Sequence, residues 1–198
     1  MAVEDFNNDG NLDAFVGALG GSQLYLGSKS GSFELKKDAA VNAITLAKSA
    51  AFVDLDNDGW KDLLISRFAA DQLTGDILVY RNNKGSFQEV KKAFASNILR
   101  DYAMPMAIAD YNGDGLLDVY VGFPGSLDFS IKATSGENNA ANVNGLFYNK
   151  GRFQFTDSSN FITTSSASNI FPHGSLASDI DLDGDMDIVV MDDRMNPS

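Results

Sequence analysis

The stretch that decides the fold covers residues 51–65 and reads Ala-Phe-Val-Asp-Leu-Asp-Asn-Asp-Gly-Trp-Lys-Asp-Leu-Leu-Ile. Its central nine residues, 54–62, have oxygen-bearing side chains at positions 1, 3, 5 and 9 and a glycine at position 6. The pattern D-x-[DN]-x-D-G-x-x-D occurs four times, as loop 1 (5–13), loop 2 (54–62), loop 3 (110–118) and loop 4 (179–187). Successive loops start 49, 56 and 69 residues apart, which indicates repeated units of about 50 residues with insertions.

Short apolar runs flank every loop. They are Ala2-Val3, 51–53, 106–109 and Leu176-Ala177 before the loops, and 14–16, 63–65, 119–121 and 188–190 after them. These runs are too short, and too rich in β-branched and aromatic residues, to be helices, so they are predicted strands.

Each of the first three loops is followed by a predicted hairpin. The apolar runs 24–26, 78–80 and 146–148 precede Gly31-Ser32-Phe33, Gly85-Ser86-Phe87 and Gly151-Arg152-Phe153. A strand, a glycine-containing turn and a second strand form a β-hairpin. One repeat therefore supplies four antiparallel strands, which is typical of a β-propeller blade.

The sequence predicts an all-β chain that forms a single partial propeller over residues 1–198. Blades are expected at about 1–40, 47–95 and 104–157, with an incomplete blade at 174–198, so that about three and a half blades form an incomplete ring. The polar segments 123–144 and 158–173 are rich in Ser, Asn and Gly and are predicted to be loops inserted into this array.

The loops have the chemistry of a calcium site. Ca²⁺ prefers six to eight oxygen ligands, and in a tight loop the side chains at positions 1, 3 and 5 converge while position 7 offers its backbone carbonyl. The predicted ligands are Asp5, Asn7, Asp9, Asn11 and Asp13; Asp54, Asp56, Asp58, Trp60 and Asp62; Asp110, Asn112, Asp114, Leu116 and Asp118; and Asp179, Asp181, Asp183, Asp185 and Asp187. Asn11, Trp60, Leu116 and Asp185 would bind through the carbonyl, and about four ions are expected.

Three other interpretations of the loops are less consistent with the sequence. An EF-hand has a glutamate at position 12 that leads into a helix, whereas position 12 here is Val16, Ile65, Val121 or Val190. Simple Asx turns explain one copy of the pattern but not four copies with the same ninth-position aspartate. Magnesium requires a strict octahedral shell that such loops fit poorly. Fifteen of the 27 acidic residues lie in the loops, where four Ca²⁺ would offset most of the formal net charge of −12.

Composition excludes several classes of function. The chain has no cysteine and one histidine, so a disulfide framework, a thiolate site and a multi-histidine metal site are all excluded. The acidic charge opposes binding to nucleic acid. No apolar run has the length of a transmembrane helix. The N-terminus lacks the pattern of a signal peptide, so either the protein is cytosolic or the numbered chain begins after processing or within a longer sequence, and the repeats favour the second alternative.

Little in the sequence points to catalysis. His173 follows Phe171-Pro172 and is interpreted as a loop or packing residue, and no nucleophile elbow or phosphate-binding glycine loop occurs. Trp60 is interpreted as a blade-packing residue, with stacking on a sugar as the alternative. Arg67, Arg81 and Arg100 are interpreted as surface charges.

The four loops, together with hairpins such as Val79-Tyr-Arg-Asn-Asn-Lys-Gly-Ser-Phe87, resemble the FG-GAP/VCBS repeats of integrin α-subunit propellers. Residues 103–121 are most similar to the cartilage-acidic-protein-like branch, which is widespread in bacteria. The literal Phe-Gly and Gly-Ala-Pro signature is absent, and only residues 16–20 and 121–125 approach it.

The resemblance implies a secreted or cell-surface, non-enzymatic module that uses structural calcium for adhesion or for recognition of a protein or glycan ligand. It also implies further blades, or self-association, to close the ring. The alternative is a lectin-like or polysaccharide-lyase propeller that acts on carbohydrate. Because recognition surfaces on propellers lie in variable loops, the sequence does not name the ligand.

Overall fold

The computed structural model describes residues 1–68, 75–94, 105–123, 144–162 and 172–192. Within them lie strands β1 (Ala2–Glu4), β2 (Asp13–Val16), β3 (Gln23–Gly27), β4 (Phe33–Leu35), β5 (Ala47–Val53), β6 (Asp62–Phe68), β7 (Gly75–Asn82), β8 (Phe87–Glu89), β9 (Met106–Ala109), β10 (Asp118–Val121), β11 (Gly145–Asn149), β12 (Phe155–Asp157), β13 (Pro172–Ser178) and β14 (Asp187–Asp192). The helical structure in these ranges consists of two short 3-10 turns, Ala40–Ala43 and Ser159–Phe161. The predicted all-β class is confirmed.

The strands form three four-stranded sheets and one two-stranded sheet. Their orders are β1-β2-β3-β4 (blade 1), β5-β6-β7-β8 (blade 2), β9-β10-β11-β12 (blade 3) and β13-β14 (half-blade 4), and all the pairs are antiparallel. Each sheet is an up-and-down meander, as in a propeller blade. The described strands form an open array rather than a closed ring, as predicted.

Parts of two predicted loops cannot be compared with the structure. Most of the insertion expected at 123–144 and the segment 163–171 of the insertion expected at 158–173 lie outside the described residues. The 3-10 turn Ser159–Phe161 occupies the described start of the second insertion, and β13 begins at Pro172. None of the helices in the described ranges has the length and apolar character needed to cross a lipid bilayer.

The hydrophobic core lies between the blades, in layers. Because side chains alternate along a strand, Leu63 and Ile65 of β6 pack against blade 1, whereas Leu64 packs against blade 3. All three side chains are fully buried. A strand that is covered on both faces needs apolar residues at successive positions, which explains why the runs that follow the loops do not alternate with polar residues.

Loop position 2 is part of this core. Phe6 of loop 1 is fully buried, and its ring centroid lies 5.8 Å from that of Phe52 and 5.1 Å from that of Phe87, both in blade 2. Leu55 of loop 2 is likewise fully buried, in the core between blades 2 and 3. Each of these loops is thus anchored by an apolar side chain that reaches into the next blade.

Two buried asparagines, which we call the asparagine bridges, connect neighbouring blades. Asn82, the last residue of β7, donates from Nδ2 to the carbonyl oxygen of Phe6 in blade 1 at 2.7 Å and to that of Lys61 at 2.8 Å. Its Oδ1 accepts the N–H of Gly85 in the turn, at 2.8 Å. The bridge therefore joins loop 1, loop 2 and the β7–β8 hairpin.

Asn149, at the end of β11, repeats this bridge one blade later. Its Nδ2 donates to the carbonyl oxygens of Leu55, at 2.8 Å, and Leu117, at 3.2 Å, and its Oδ1 accepts the N–H of Gly151 at 2.9 Å. In blade 1 the equivalent residue is Gly27, where an added Cβ would clash with the carbonyl oxygen of Leu12. Each bridge points from its own blade back to the loop of the preceding blade.

We expect Phe6→Ala to lower the free energy of unfolding by about 3–5 kcal/mol, because it opens a cavity among aromatic rings at the interface between blades 1 and 2. The measurement is denaturant unfolding followed by far-UV circular dichroism. Phe33→Ala is the control, since Phe33 is 54% exposed, and its effect should stay below about 1 kcal/mol. Equal effects of the two substitutions would contradict the layered core.

We expect Asn149→Ala to cost roughly 1–3 kcal/mol, because it leaves two buried carbonyl groups and one N–H without their partner. Asn83→Ala is the matched control, since Asn83 is exposed in the neighbouring hairpin. Thermal unfolding of both variants provides the comparison. If Asn149→Ala melts with the control, the bridge does not contribute to stability.

Candidate metal centre

The aspartate at position 1 holds each loop in its curved form. In loop 1, Asp5 Oδ1 accepts the N–H of Asp9 at 3.0 Å and Oδ2 accepts the N–H of Gly10 at 2.7 Å. The first carboxylate of every other loop, Asp54, Asp110 or Asp179, accepts the same two N–H groups at 2.8–3.1 Å. The four loops therefore wrap around their first carboxylate in the same way.

The side chains at positions 3 and 5 also accept hydrogen bonds from backbone N–H groups of the loop. The position 5 carboxylates of Asp9, Asp58, Asp114 and Asp183 each accept the N–H of position 7, at 2.8–3.0 Å. In loops 1, 3 and 4, the side-chain oxygen of position 3 also accepts the N–H of position 5, at 2.9–3.3 Å. These bonds turn the oxygens of alternate residues towards the same side of the backbone.

The backbone has the left-handed conformation at two positions in every loop. Position 6 is glycine with φ between 85° and 99°, as the sequence predicted for a sharp turn. Position 4 also has a positive φ, of 57° to 72°, and is occupied by Asn8, Asn57, Gly113 or Leu182. Asparagine and glycine tolerate this conformation best, and the sequence analysis did not identify the constraint at position 4.

The aspartate at position 9 connects the loop to the third strand of its blade. Asp62 is fully buried; its Oδ2 accepts the N–H of Leu55 at 2.9 Å and its Oδ1 accepts the N–H of Asn82 at 2.8 Å. Asp118 binds the N–H groups of Tyr111 and Asn149 in the same way, at 3.0 and 2.8 Å. Asp13 accepts the N–H of Gly27 at 2.8 Å, and Asp187 accepts that of Ile180 at 2.9 Å.

These hydrogen bonds leave the position 9 carboxylates able to bind an ion, because an ionised carboxylate has about four acceptor sites. Burial raises the pKa of Asp62 to about 7, although the N–H groups of Asn82 and Leu55 oppose the shift. Burial also raises the pKa of Asp13 and of Asp118. A cation in the loop would favour the charged form of these groups, so the buried carboxylates are suited to an adjacent metal ion.

Two of the loops bring three carboxylates together. The oxygens of Asp54, Asp56 and Asp58 lie within 4.8 Å of one another, and so do those of Asp179, Asp181 and Asp187. Oδ1 of Asp56 is buried and accepts no hydrogen bond from the residues that the structure describes. A set of oxygen donors that includes an unpartnered carboxylate oxygen fits a hard divalent cation such as Ca²⁺.

Loops 1 and 3 have asparagine at position 3, so the side chains of positions 1, 3 and 5 offer two carboxylates and one amide oxygen there. In loop 1, the amides of Asn7 and Asn11 donate to Asp9 at 3.0 and 2.8 Å. The predicted ligation by position 7 carbonyls, and the assignment of all twenty residues as ligands, remain predictions.

Arg81 is a residue whose role the sequence analysis missed. Its Nη2 lies 2.9 Å from Oδ2 of Asp56 and 3.0 Å from Oδ2 of Asp58, and the guanidinium is 5.7 Å from the centroid of the Phe153 ring. It is about half exposed, as expected for a surface charge, but it is bound to two predicted calcium ligands. The sequence places Arg81 one residue before Asn82. Because Tyr80 pairs with Leu63, the next residues along the two strands, Arg81 and Asp62, lie beside each other.

Other singled-out residues lie away from the loop oxygens or have structural roles. Arg67 pairs with Asp76 through Nη2 at 2.8 Å, and Arg100 lies outside the described residues. His173 lies within β13, next to an irregularity in its pairing with β14, and is exposed. Trp60 is partly buried at position 7 of loop 2.

Family comparison assigns the repeats. The model of the FG-GAP-like repeat matches residues 5–65 and 68–121, which together cover more than half of the chain and contain loops 1 to 3. The model of the FG-GAP repeat matches residues 106–143. These matches do not test the likeness to the cartilage-acidic-protein-like branch, which remains a prediction. With its repeated loops and four-stranded antiparallel blades, the chain belongs to the FG-GAP-like repeat family.

Proposed function

We propose that this chain is an extracellular calcium-binding propeller module for adhesion or ligand recognition, in which the calcium is structural. The observation that carries the proposal is the cluster of Asp54, Asp56 and Asp58, with its unpartnered buried oxygen, in a loop whose hydrogen-bonded wrap is repeated three more times. The integrin-like propeller character of the repeat family supports the recognition role.

Calcium at these loops would be held by side chains from positions 1, 3, 5 and 9 and by the carbonyl of position 7. When bound, the ion supplies positive charge that offsets the repulsion between the carboxylates. The protein contributes the convergent oxygens, and the buried aspartate at position 9 transmits the loop's rigidity to the third strand through bonds such as the one from Asn82 to Asp62, 2.8 Å long. Metal binding then contributes to folding by linkage.

The repeat family favours a site outside the cell, and the exposure of the loops is compatible with it. Positions 4 to 6 are exposed in all four loops, so an ion there would remain close to solvent. Extracellular modules bind calcium at about 10⁻⁴–10⁻³ M, a concentration range found outside cells. We propose a non-enzymatic role, and the ligand class, protein or glycan, is the part of the function that the repeats leave open.

Calcium should raise the melting temperature of the protein, and excess chelator should lower it. At a free concentration one hundred times Kd, each filled site adds about 2.7 kcal/mol to the stability of the folded state. Scanning calorimetry in calcium, in chelator and in magnesium measures the shift. Magnesium should give a smaller one, because these loops do not offer a rigid octahedral shell. A melting temperature that excess chelator leaves unchanged would contradict the structural-calcium proposal.

Asp58→Ala and Asp183→Ala should each weaken calcium binding at one loop by about tenfold or more, since each removes a charged ligand. Isothermal titration calorimetry would show a weaker or missing site. Asp38→Ala is the control, because the side chain of Asp38 is 88% exposed and lies outside the loops. If Asp38→Ala weakens calcium binding as much as the loop variants do, the effect comes from the net charge of the protein and not from the loss of a ligand.

A further inference from the structure

We propose that Arg81 is an internal counter-cation of loop 2, which competes with calcium for Asp56 and Asp58 and lowers the calcium affinity of that loop. This inference rests on the proposed calcium role of the loops and assigns to one of them a residue that tunes it. Loop 2 is expected to bind calcium more tightly when Arg81 is replaced by an uncharged residue.

Arg81 contacts two of the predicted calcium ligands of loop 2. A single guanidinium nitrogen, Nη2 of Arg81, lies 2.9 Å from Asp56 and 3.0 Å from Asp58, so one positive charge is shared by two of the three carboxylates in the loop 2 cluster. A divalent ion that draws on the same carboxylates meets this charge. The ion must either displace the guanidinium or bind beside it, and both routes lower the affinity of the loop.

Blades 1 and 3 have an uncharged residue at the position that Arg81 occupies in blade 2. In strand register, Arg81 of β7 corresponds to Leu26 of β3 and to Tyr148 of β11, because Tyr80, Tyr25 and Phe147 pair with the residues that follow Asp62, Asp13 and Asp118. Loops 1 and 3 therefore have an uncharged residue where loop 2 has a guanidinium. Position 3 shows the matching difference: Asp56 in loop 2 is a carboxylate, whereas loops 1 and 3 have Asn7 and Asn112.

The side chain at position 3 has a charged contact in loop 2 in addition to the contacts seen in the other loops. In the other loops this side chain accepts the N–H of position 5, for example Asn7 from Asp9 at 3.0 Å. In loop 2, Oδ2 of Asp56 lies 2.9 Å from Nη2 of Arg81, and the buried Oδ1 has no partner with good hydrogen-bond geometry among the described residues. The guanidinium thus adds a charged contact to the side chain at position 3 of loop 2.

The Phe153 ring gives the displaced guanidinium a place to remain. Phe153 belongs to the β11–β12 hairpin of blade 3 and is buried, and its ring centroid lies 5.7 Å from the Arg81 guanidinium. A cation over an aromatic face is stabilised by the ring quadrupole. Filling loop 2 would therefore shift Arg81 from blade 2 carboxylates towards the blade 3 hairpin.

The test uses Trp60, the only tryptophan in the chain, at position 7 of loop 2. Terbium luminescence excited through Trp60 reports ions in loop 2, and calcium displaces the terbium in proportion to its affinity there. Arg81→Leu, which introduces the residue of blade 1, should lower the calcium concentration needed to half-displace terbium by about tenfold, because affinity follows the net charge of the ligand set. Arg81→Lys, which retains the charge, should stay within about threefold of the wild type.

A second measurement distinguishes competition from simple damage to the fold. In chelator, Arg81→Leu should melt at a lower temperature than the wild type, because Asp56 and Asp58 then lose their counter-charge, whereas in saturating calcium the difference should shrink or reverse. Arg67→Leu removes an arginine paired with Asp76 at 2.8 Å. It is the control and should leave loop 2 affinity unchanged.

Two outcomes would overturn the proposal and locate the failure. If the wild type binds calcium by calorimetry but Arg81→Leu leaves loop 2 affinity unchanged or weaker, the competition is wrong while the calcium function stands. If the wild type binds no calcium at any loop, both fail. If Arg81→Leu does not fold, Arg81→Gln provides the same comparison.

Discussion

The structure depends on a buried carboxylate at the start of the second strand, which accepts two backbone N–H groups in blades 2 and 3. Asp62 and Asp118 make both bonds, one to position 2 of their own loop and one to the last residue of the third strand. The first bond closes the loop over 7 residues, whereas the second reaches 20 residues along the chain for Asp62 and 31 for Asp118. Because burial disfavours the charge that makes these bonds strong, the carboxylate needs compensation from hydrogen-bond donors, and a neighbouring cation would add to it.

The loops are coupled to one another through the asparagine bridges. The side chain of Asn82 donates to loop 1 and to loop 2, and its backbone N–H donates to Asp62. One residue is therefore hydrogen-bonded to both loops. Asn149 does the same for loops 2 and 3. The apolar side chains at position 2, Phe6 and Leu55, fill the interface beneath these bonds. An ordered loop therefore supports its neighbour through specific contacts rather than through the core alone.

The sequence was sufficient for the repeat, the strand class and the loop pattern, because each depends on local spacing. The nine-residue motif and the apolar runs beside it predicted the second strand of every sheet, such as β6 at Asp62–Phe68. Side-chain partners across blades were not predictable in this way. The donation of Asn82 to Phe6 spans 76 residues, and the pairing of Arg81 with Asp56 depends on which residue the hairpin register places beside the loop.

The backward direction of the asparagine bridges determines what counts as a unit of this architecture. Each bridge begins in the third strand of one sheet and ends on the loop of the preceding sheet, so a cut between two sheets divides a bonded pair. A segment that runs from one loop to the hairpin of the following sheet keeps its bridge intact, as residues 54–151 do for Leu55 and Asn149. Recombination, domain grafting or circular permutation would thus preserve these contacts best at junctions that are offset from the boundaries of the sheets.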